Sequence, residues 1–211
     1  MALEVHKFTL GSLANNTYVL VDTATLLAVI VDPAFGSRHV AQAIDKAGWK
    51  PFQIWLTHAH FDHTAGINEI NIIGQSALPV GIHPHDLELY KKGGGAELFG
   101  ITAPDLPEPT IFFEHNQQLS IGAEQVEVRH TPGHSAGHVV FYLPQNTVAL
   151  VGDLIFKNGV GRTDLPGGSM TKLLDSIYKN ILTLPPGTRL LSGHGDETTV
   201  ADEAEFNPYL M

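Results

Sequence analysis

Seven side chains have the types and spacing of a metal centre: His58, His60, Asp62, His63, His134, Asp153 and His194. Four of them fall within Thr57-His58-Ala59-His60-Phe61-Asp62-His63, directly after the apolar run Gln53-Ile54-Trp55-Leu56. Side chains alternate across an extended chain, so His58 and His60 point the same way if the strand continues through them. Asp62 and His63 follow as the chain turns, which lets one pair face one ion and the second pair another. The later three are weak signals singly. His134, in Thr131-Pro132-Gly133-His134-Ser135, reads equally as a turn histidine, and Asp153 after Val151-Gly152 reads as a turn cap. His194 lies between Gly193 and Gly195, whose backbone freedom permits a sharp bend around a fixed ring. Jointly, these three complete what the HxHxDH stretch leaves unfinished.

The chain contains no cysteine, which excludes disulfides, thiolate ligands and a cysteine nucleophile. Any metal must be held by nitrogen and oxygen, a donor set suited to zinc, iron or manganese. Two divalent ions would return four positive charges to one spot on a chain of formal net charge −10. A negatively charged small molecule would be drawn to that spot. The acidic balance, with no basic stripe, argues against nucleic acid as a partner.

These residues need a scaffold, and 211 residues suffice for one sizeable domain or at most two small ones. Hydrophobic residues make up 43%, charged residues 16%, and mean hydropathy is near zero, as in ordinary globular chains. No apolar stretch reaches the length of a membrane helix. The start, Met-Ala-Leu-Glu-Val-His-Lys, lacks the basic-then-apolar layout of a secretory signal, so a cytoplasmic location is expected. The sequence sets no oligomeric state.

Runs rich in β-branched and aromatic residues predict strands at 3–10, 17–21, 26–31, 53–56, 80–82, 117–121, 124–130, 139–143, 147–151 and 189–192. Helices are expected over about 38–47, capped by Ser37 and stopped by Gly48, from near Thr64 to about Gln75, from Pro84 toward Tyr90, and over about 170–182. The stretch from Lys92 to Pro109, with Gly93-Gly94-Gly95 and three prolines, reads either as a domain linker or as a surface excursion at the mouth of a site. His134, Asp153 and His194 each follow a predicted strand. Ligands gathered at several strand ends are how a rigid sandwich holds a site. Strands interspersed with helices in this way suggest two sheets with helices outside them.

THAHFDHTAG at 57–66, TPGHSAGH at 131–138, GD at 152–153 and SGHG at 192–195 resemble, in order, the metal motifs of the metallo-β-lactamase-fold superfamily. The likeness covers nearly the full length, so residues 1–211 are expected to form one hydrolase domain. Gly159-Val160-Gly161-Arg162-Thr163-Asp164-Leu165-Pro166-Gly167-Gly168 and the ending Asn207-Pro208-Tyr209-Leu210 resemble the short bacterial glyoxalase II type. The resemblance implies a four-layer αββα sandwich of the α/β class. It also implies one ion on His58, His60 and His134, a second on Asp62, His63 and His194, and Asp153 bridging both. An aspartate there points away from the β-lactamases of the superfamily, which generally lack an acid at that place. The diiron flavoproteins have glutamate where His60 stands, which points away from that branch too.

The expected cofactors are therefore two divalent ions, zinc first, with iron or manganese as alternatives. Two ions sharing a water bring its pKa down toward about 7, and the resulting hydroxide attacks a carbonyl. Asp62 is expected to orient that hydroxide as well as ligate. No separate general acid stands near the motifs. A thioester needs none, because a thiolate with pKa of about 8.5 leaves unprotonated, whereas an amide nitrogen does not. The resemblance supplies the substrate class, an S-acyl glutathione such as S-D-lactoylglutathione.

Longer glyoxalase II enzymes carry a further C-terminal helical region that contributes glutathione contacts, and a short segment follows His194 here. Glutathione recognition is then expected from loops, through Lys157, Asn158 and Arg162, or the thiol is another one; Arg162 reads alternatively as an ion pair with Asp164. Two rival activities use the same positions. Persulfide dioxygenases of this fold bind one iron through residues matching His58, His134 and Asp153, and lactone hydrolysis needs the same hydroxide. Asp32 is expected to hydrogen-bond behind the site, and His138 either to support His134 or to be structural. His83 and His85 read as helix-start residues, His6, His39, His115 and His130 as structural, and Trp49 and Trp55 as core.

Overall fold

The computed structural model describes residues 3–73 and 77–210. One six-stranded sheet runs in spatial order through β1 (Leu3–Leu10), β2 (Asn15–Asp22), β3 (Leu27–Val31), β4 (Lys50–Trp55), β5 (Val80–Ile82) and β6 (Ile111–Phe112). The second is built from β7 (Gln118–Ile121), β8 (Glu124–His130), β9 (Val139–Leu143) and β10 (Val148–Gly152). A small hairpin follows, β11 (Ile155–Phe156) and β12 (Gly159–Val160), and then β13 (Arg189–Ser192) and β14 (Thr198–Thr199). The order in the second sheet is β14-β13-β10-β9-β8-β7. Helices α1 (Arg38–Ala47), α2 (Phe61–Thr64), α3 (Ile67–Ile70) and α4 (Leu87–Lys91) belong to the first half, α5 (Met170–Asn180) and α6 (Val200–Phe206) to the second.

The period-2 alternation of the strands divides the apolar side chains among three cores. Leu20, Val29, Val31 and Trp55 of the first sheet meet Val128, Val139, Phe141 and Leu150 of the second between the sheets. Trp55, Phe113 and Phe141 form the aromatic centre of that layer, with ring centroids 5.2–6.2 Å apart. The intervening residues Val19, Val21, Ala28 and Ile30 face the opposite way and pack on Val40, Ile44 and Ile67 of the helices. Val140, Tyr142, Ala149 and Val151 do the same against Leu173, Ile177 and Val200. Helix, sheet, sheet and helix therefore form the expected αββα sandwich. Trp55 is fully buried, whereas Trp49 is half-buried at the edge of the outer core against the ring of His6, 4.4 Å away.

Two local expectations are corrected. The helix expected from near Thr64 to about Gln75 is instead α2, α3 and a 3-10 turn at Asn71–Ile73, and Gln75 lies outside the described residues. Gly66 interrupts the ladder because its N–H goes to the carbonyl of Pro33, 2.9 Å away, tying the segment to the chain after β3. Ser37 precedes α1 but does not cap it. Its backbone is already helical, and its hydroxyl donates backward to the Ala34 carbonyl at 2.7 Å. The Glu69 carboxylate takes the capping role, accepting from the backbone N–H of Arg38 at 2.8 Å.

Strands β3, β4 and β5 run parallel, as do β10 and β13. Their C-terminal ends open on one edge of the sandwich. Asp32 follows β3, the His58–His63 stretch follows β4, Asp153 follows β10 and His194 follows β13. The stretch from Lys92 to Pro109 is a surface excursion at that edge, not a spacer. Gly93, Gly94 and Gly95 all take positive φ, and Gly94 is pressed so closely on the backbone of Ala59 and Phe61 that a Cβ has no room.

Candidate metal centre

Leaving β4, the chain bends at Thr57, is extended at His60 (φ −65°, ψ 146°) and then turns into α2. His58 and His60 come to one side, with ring centroids 4.8 Å apart, and α2 carries Asp62 and His63. All seven predicted residues are brought together. Nitrogens of His58, His60 and His134 converge, with His134 Nε2 2.8 Å from His60 Nδ1 and 3.2 Å from His58 Nε2. Beside them Asp62, His63 and His194 form a second group, with His194 Nε2 3.3 Å and His63 Nε2 3.8 Å from Asp62 Oδ2. Asp153 lies between the groups: its oxygens are 3.4 Å from His63 Nε2, 3.7 Å from His134 Nε2 and 3.6 Å from His194 Nε2.

The hydrogen bonds behind the rings fix which nitrogen faces the centre. His134 Nδ1 donates to the Arg162 carbonyl at 2.8 Å, His194 Nδ1 to the Leu13 carbonyl at 3.0 Å, and His63 Nδ1 to Asp32 Oδ2 at 3.0 Å. The Thr57 hydroxyl donates to Asp32 Oδ2 at 2.6 Å and so accepts from His58 Nδ1 at 3.0 Å. Carbonyls and carboxylates only accept, so Nδ1 carries the proton in each ring and the Nε2 lone pair points inward. Four imidazoles are thus set as Nε2 ligands, while His60 turns Nδ1 to the cluster. His63 Nε2, His60 Nε2 and Asp153 Oδ1 are buried with no hydrogen-bond partner. A tetrahedral zinc with Zn–N near 2.0–2.1 Å sets its nitrogens about 3.3 Å apart, so the spacings here suit a divalent ion with little movement.

Charge follows from the same contacts. Burial, reinforced by the neighbouring imidazoles, pushes His58 well below its ordinary range and brings His60 down to about 3. Burial also opposes charge on His63, but the carboxylates of Asp153, Asp62 and Asp32 outweigh it and hold that ring well above the usual value. Against the same burial, the neighbouring histidines keep the Asp62 and Asp153 carboxyls below the usual carboxylate range. The site therefore presents two anionic carboxylates and two neutral imidazoles, His58 and His60, in the forms that ligate, while the carboxylates favour a proton on His63 that an ion would displace.

Asp32 does reach His63, as expected, and its backbone holds a left-handed φ of 52° while it also accepts from the Thr57 N–H at 2.7 Å. His138 is buried behind the site, but its ring stacks on His58 at 5.3 Å and bonds the Thr131 hydroxyl, so it backs His58 rather than His134. Lys157 and Asn158 do not join the centre. They line a separate cavity with Glu203 and Phe206, because the β11–β12 hairpin carries them outward. Arg162 does line the cleft, with its guanidinium clamped on Asp164 by two contacts of 2.7 Å. The ligating nitrogens of His83, His85 and His130 also come within 4.8 Å, a grouping the sequence did not show. The His83 and His130 rings stack at 3.9 Å and 6°, so an ion in the plane of one lies off the plane of the other. This arrangement packs neutral rings, and burial with its histidine neighbours brings His83 down to about 4.

Sequence reasoning missed three positions. Asn15 donates to Asp62 Oδ2 at 2.9 Å and lines the cleft; its only sequence signal is a polar pair opening an apolar strand. Thr57, inside the motif, links Asp32 to His58. Asp86, hidden in a helix start, accepts from the Ala59 N–H at 3.1 Å, the Ser135 hydroxyl at 2.6 Å and the Gly137 N–H at 2.5 Å. It therefore ties the His58–His63 stretch to the His134 loop. Asp86→Ala strands three buried donors and is expected to cost about 3–5 kcal/mol. For a chain of this length that lowers Tm by roughly 10 °C, readable by calorimetry together with weakened metal binding. An unchanged Tm would show that other contacts hold the two loops.

The metallo-beta-lactamase superfamily model matches residues 10–194. The chain is 37% identical to the probable metallo-hydrolase YqgX of Bacillus subtilis, over 97% of this chain and 96% of that protein. It is 30% identical to the hydroxyacylglutathione hydrolase GloC of Haemophilus influenzae, over 87% of each. Among solved structures, the BLEG-1 B3 metallo-beta-lactamase superposes with a TM-score of 0.92 at 34% identity, covering 99% of this chain and all of that one. TTHA1623 in a di-iron-bound form gives 0.88 at 38%, covering 98% of this chain and all of that one. Motifs, sandwich and convergent histidines agree with these matches: the chain belongs to the metallo-beta-lactamase superfamily and is a metal-dependent hydrolase of that family.

Proposed function

We propose that the protein hydrolyses thioesters with a pair of divalent ions held by His58, His60 and His134 on one side, Asp62, His63 and His194 on the other, and Asp153 between. The observation that carries this reading is the inward presentation of lone pairs from both groups around one ionised carboxylate. Bound there, two ions supply a water of lowered pKa and polarise a carbonyl oxygen. Asp62, steadied by Asn15, is placed to orient that water and accept a hydrogen bond from it. Asp32 and Thr57 keep His63 and His58 in the ligating tautomer throughout. The water oxygen bonds to the acyl carbon and the C–S bond breaks. Sulfur leaves with the electron pair, giving a carboxylate and a thiol with one proton released to solvent.

The likeness to GloC supports a hydroxyacylglutathione, and S-D-lactoylglutathione is the reference substrate. Zinc suits the nitrogen and oxygen donor set, and the di-iron form of TTHA1623 supports iron as the alternative. The expected result is two ions per chain by metal analysis and thioester hydrolysis from the same preparation. One iron per chain with oxygen consumed in the presence of glutathione persulfide would replace this reading with the dioxygenase one. Lactone turnover without thioester turnover would move it to lactone hydrolysis.

A further inference from the structure

Above the candidate ligands lies a cleft of 330 Å³, at the small end of the range for small-molecule sites. Its floor is polar, formed by the ligating side chains, and its walls are largely apolar. Leu13, Phe35, Phe61, Phe99, Ile101 and Leu165 line it. Phe35, Phe61 and Phe99 form a continuous aromatic wall, with successive ring centroids 6.3 and 5.4 Å apart. Leu13, Phe35, Phe99 and Ile101 are exposed large apolar residues, and they come from three separate segments to ring one opening. Scattered exposed apolar side chains need no explanation, but a contiguous set around a polar floor marks a binding surface.

Charge in the walls is equally informative. Arg162 is the one lysine or arginine among the described residues of the cleft, and one edge of its fork, Nε and Nη2, is held by Asp164, whose carboxylate offsets its charge. Its guanidinium lies 6.0 Å from the Phe99 ring centroid, so it covers the aromatic wall instead of reaching across the opening. Lys157 lines a different cavity, and Lys7, outside the cleft, is bonded to the Gly195 carbonyl at 2.8 Å. A glutathione thioester carries two carboxylates that need free cations, and burying them unpaired is costly.

We infer that the aromatic wall of Phe35, Phe61 and Phe99 makes this cleft select uncharged thioesters with an apolar acyl chain, with glutathione conjugates as poorer substrates. The inference rests on the thioester-hydrolase reading above and narrows its substrate. Each methylene that reaches the wall is removed from water and contributes about a fourfold gain.

The test is a series of acetyl, butanoyl and hexanoyl thioesters of the neutral thiol N-acetylcysteamine, run beside S-D-lactoylglutathione on the metal-loaded protein. Expected is a kcat/KM that rises about three- to fourfold per methylene, with the hexanoyl compound at least tenfold better than S-D-lactoylglutathione. Phe99→Ala, with metal content measured on the same sample, should flatten the chain-length slope mainly through KM. A flat slope in the wild type, or S-D-lactoylglutathione as the best substrate, overturns the inference and leaves the hydrolase reading standing. Hydrolysis of none of the thioesters with both ions bound overturns that reading, and the inference with it.

Discussion

Asp153→Asn is expected to leave a folded protein that holds no more than one tightly bound ion per chain and hydrolyses thioesters at least about 10³-fold more slowly. Asp153 is the carboxylate that reaches both ligand groups, within 3.4–3.7 Å of His63, His134 and His194. The substitution removes one negative charge from between two expected dications and puts a donor NH₂ where an acceptor stood. At this distance from both ions, lost charge weakens each of them, and the mutual repulsion of the ions is no longer offset. The side chain is nearly isosteric, so the packing of Gly193 against Asp153 and His63 survives and the effect reads as electrostatic. Metal analysis and a stopped assay on one preparation check it, with circular dichroism for the fold. Two retained ions would contradict the bridging role, and full activity would remove Asp153 from the chemistry.

How much of this was readable beforehand depends on the range of the physics involved. The HxHxDH stretch is local, so the alternation of His58 with His60 and the turn at Asp62 could be read from spacing, and the structure has both. His134, Asp153 and His194 were identifiable because each follows a strand that reads clearly from its composition and because together they complete the HxHxDH set. Most strand bounds moved by a residue or two and the start of β4 by three, while β6, β11, β12, β14 and α6 gave no apolar run long enough to notice. What stayed hidden is the partnering across sequence. Glu69 capping α1, Asp86 tying two loops and Asn15 touching Asp62 are single polar residues whose partners lie 27–51 positions away. No pattern within a window reports such a pair. Lys157 and Asn158 show the opposite failure: they are near Arg162 in sequence, yet the β11–β12 hairpin turns them to another cavity.

Removing the ions with a chelator is expected to abolish activity and lower Tm by about 5–15 °C, and re-adding zinc, iron(II) or manganese should restore both. The size follows from linkage. A ligand at 100 to 1,000 times its Kd stabilises the native state by about 2.7–4.1 kcal/mol, and a chain of this length moves about 2–4 °C per kcal/mol. The direction follows from the site. Two imidazole nitrogens face one another at 2.8 Å, another pair at 3.2 Å, and two buried polar atoms, His63 Nε2 and Asp153 Oδ1, have no partner, all of which an ion would satisfy. Protons relieve this only in part. His63 takes one readily beside three carboxylates, but burial holds His60 down to about 3 and His58 well below its ordinary range, so those rings stay neutral near pH 7. An ion of charge +2 supplies what they do not accept. Acidification should act in the same sense as the chelator, because the remaining ligands bind metal only when deprotonated and protons compete for them. Calorimetry through a chelation and re-addition cycle reads all of this. Identical Tm with and without metal would mean that the convergent histidines are held by the fold alone, and the ion-pair chemistry would lose its physical basis.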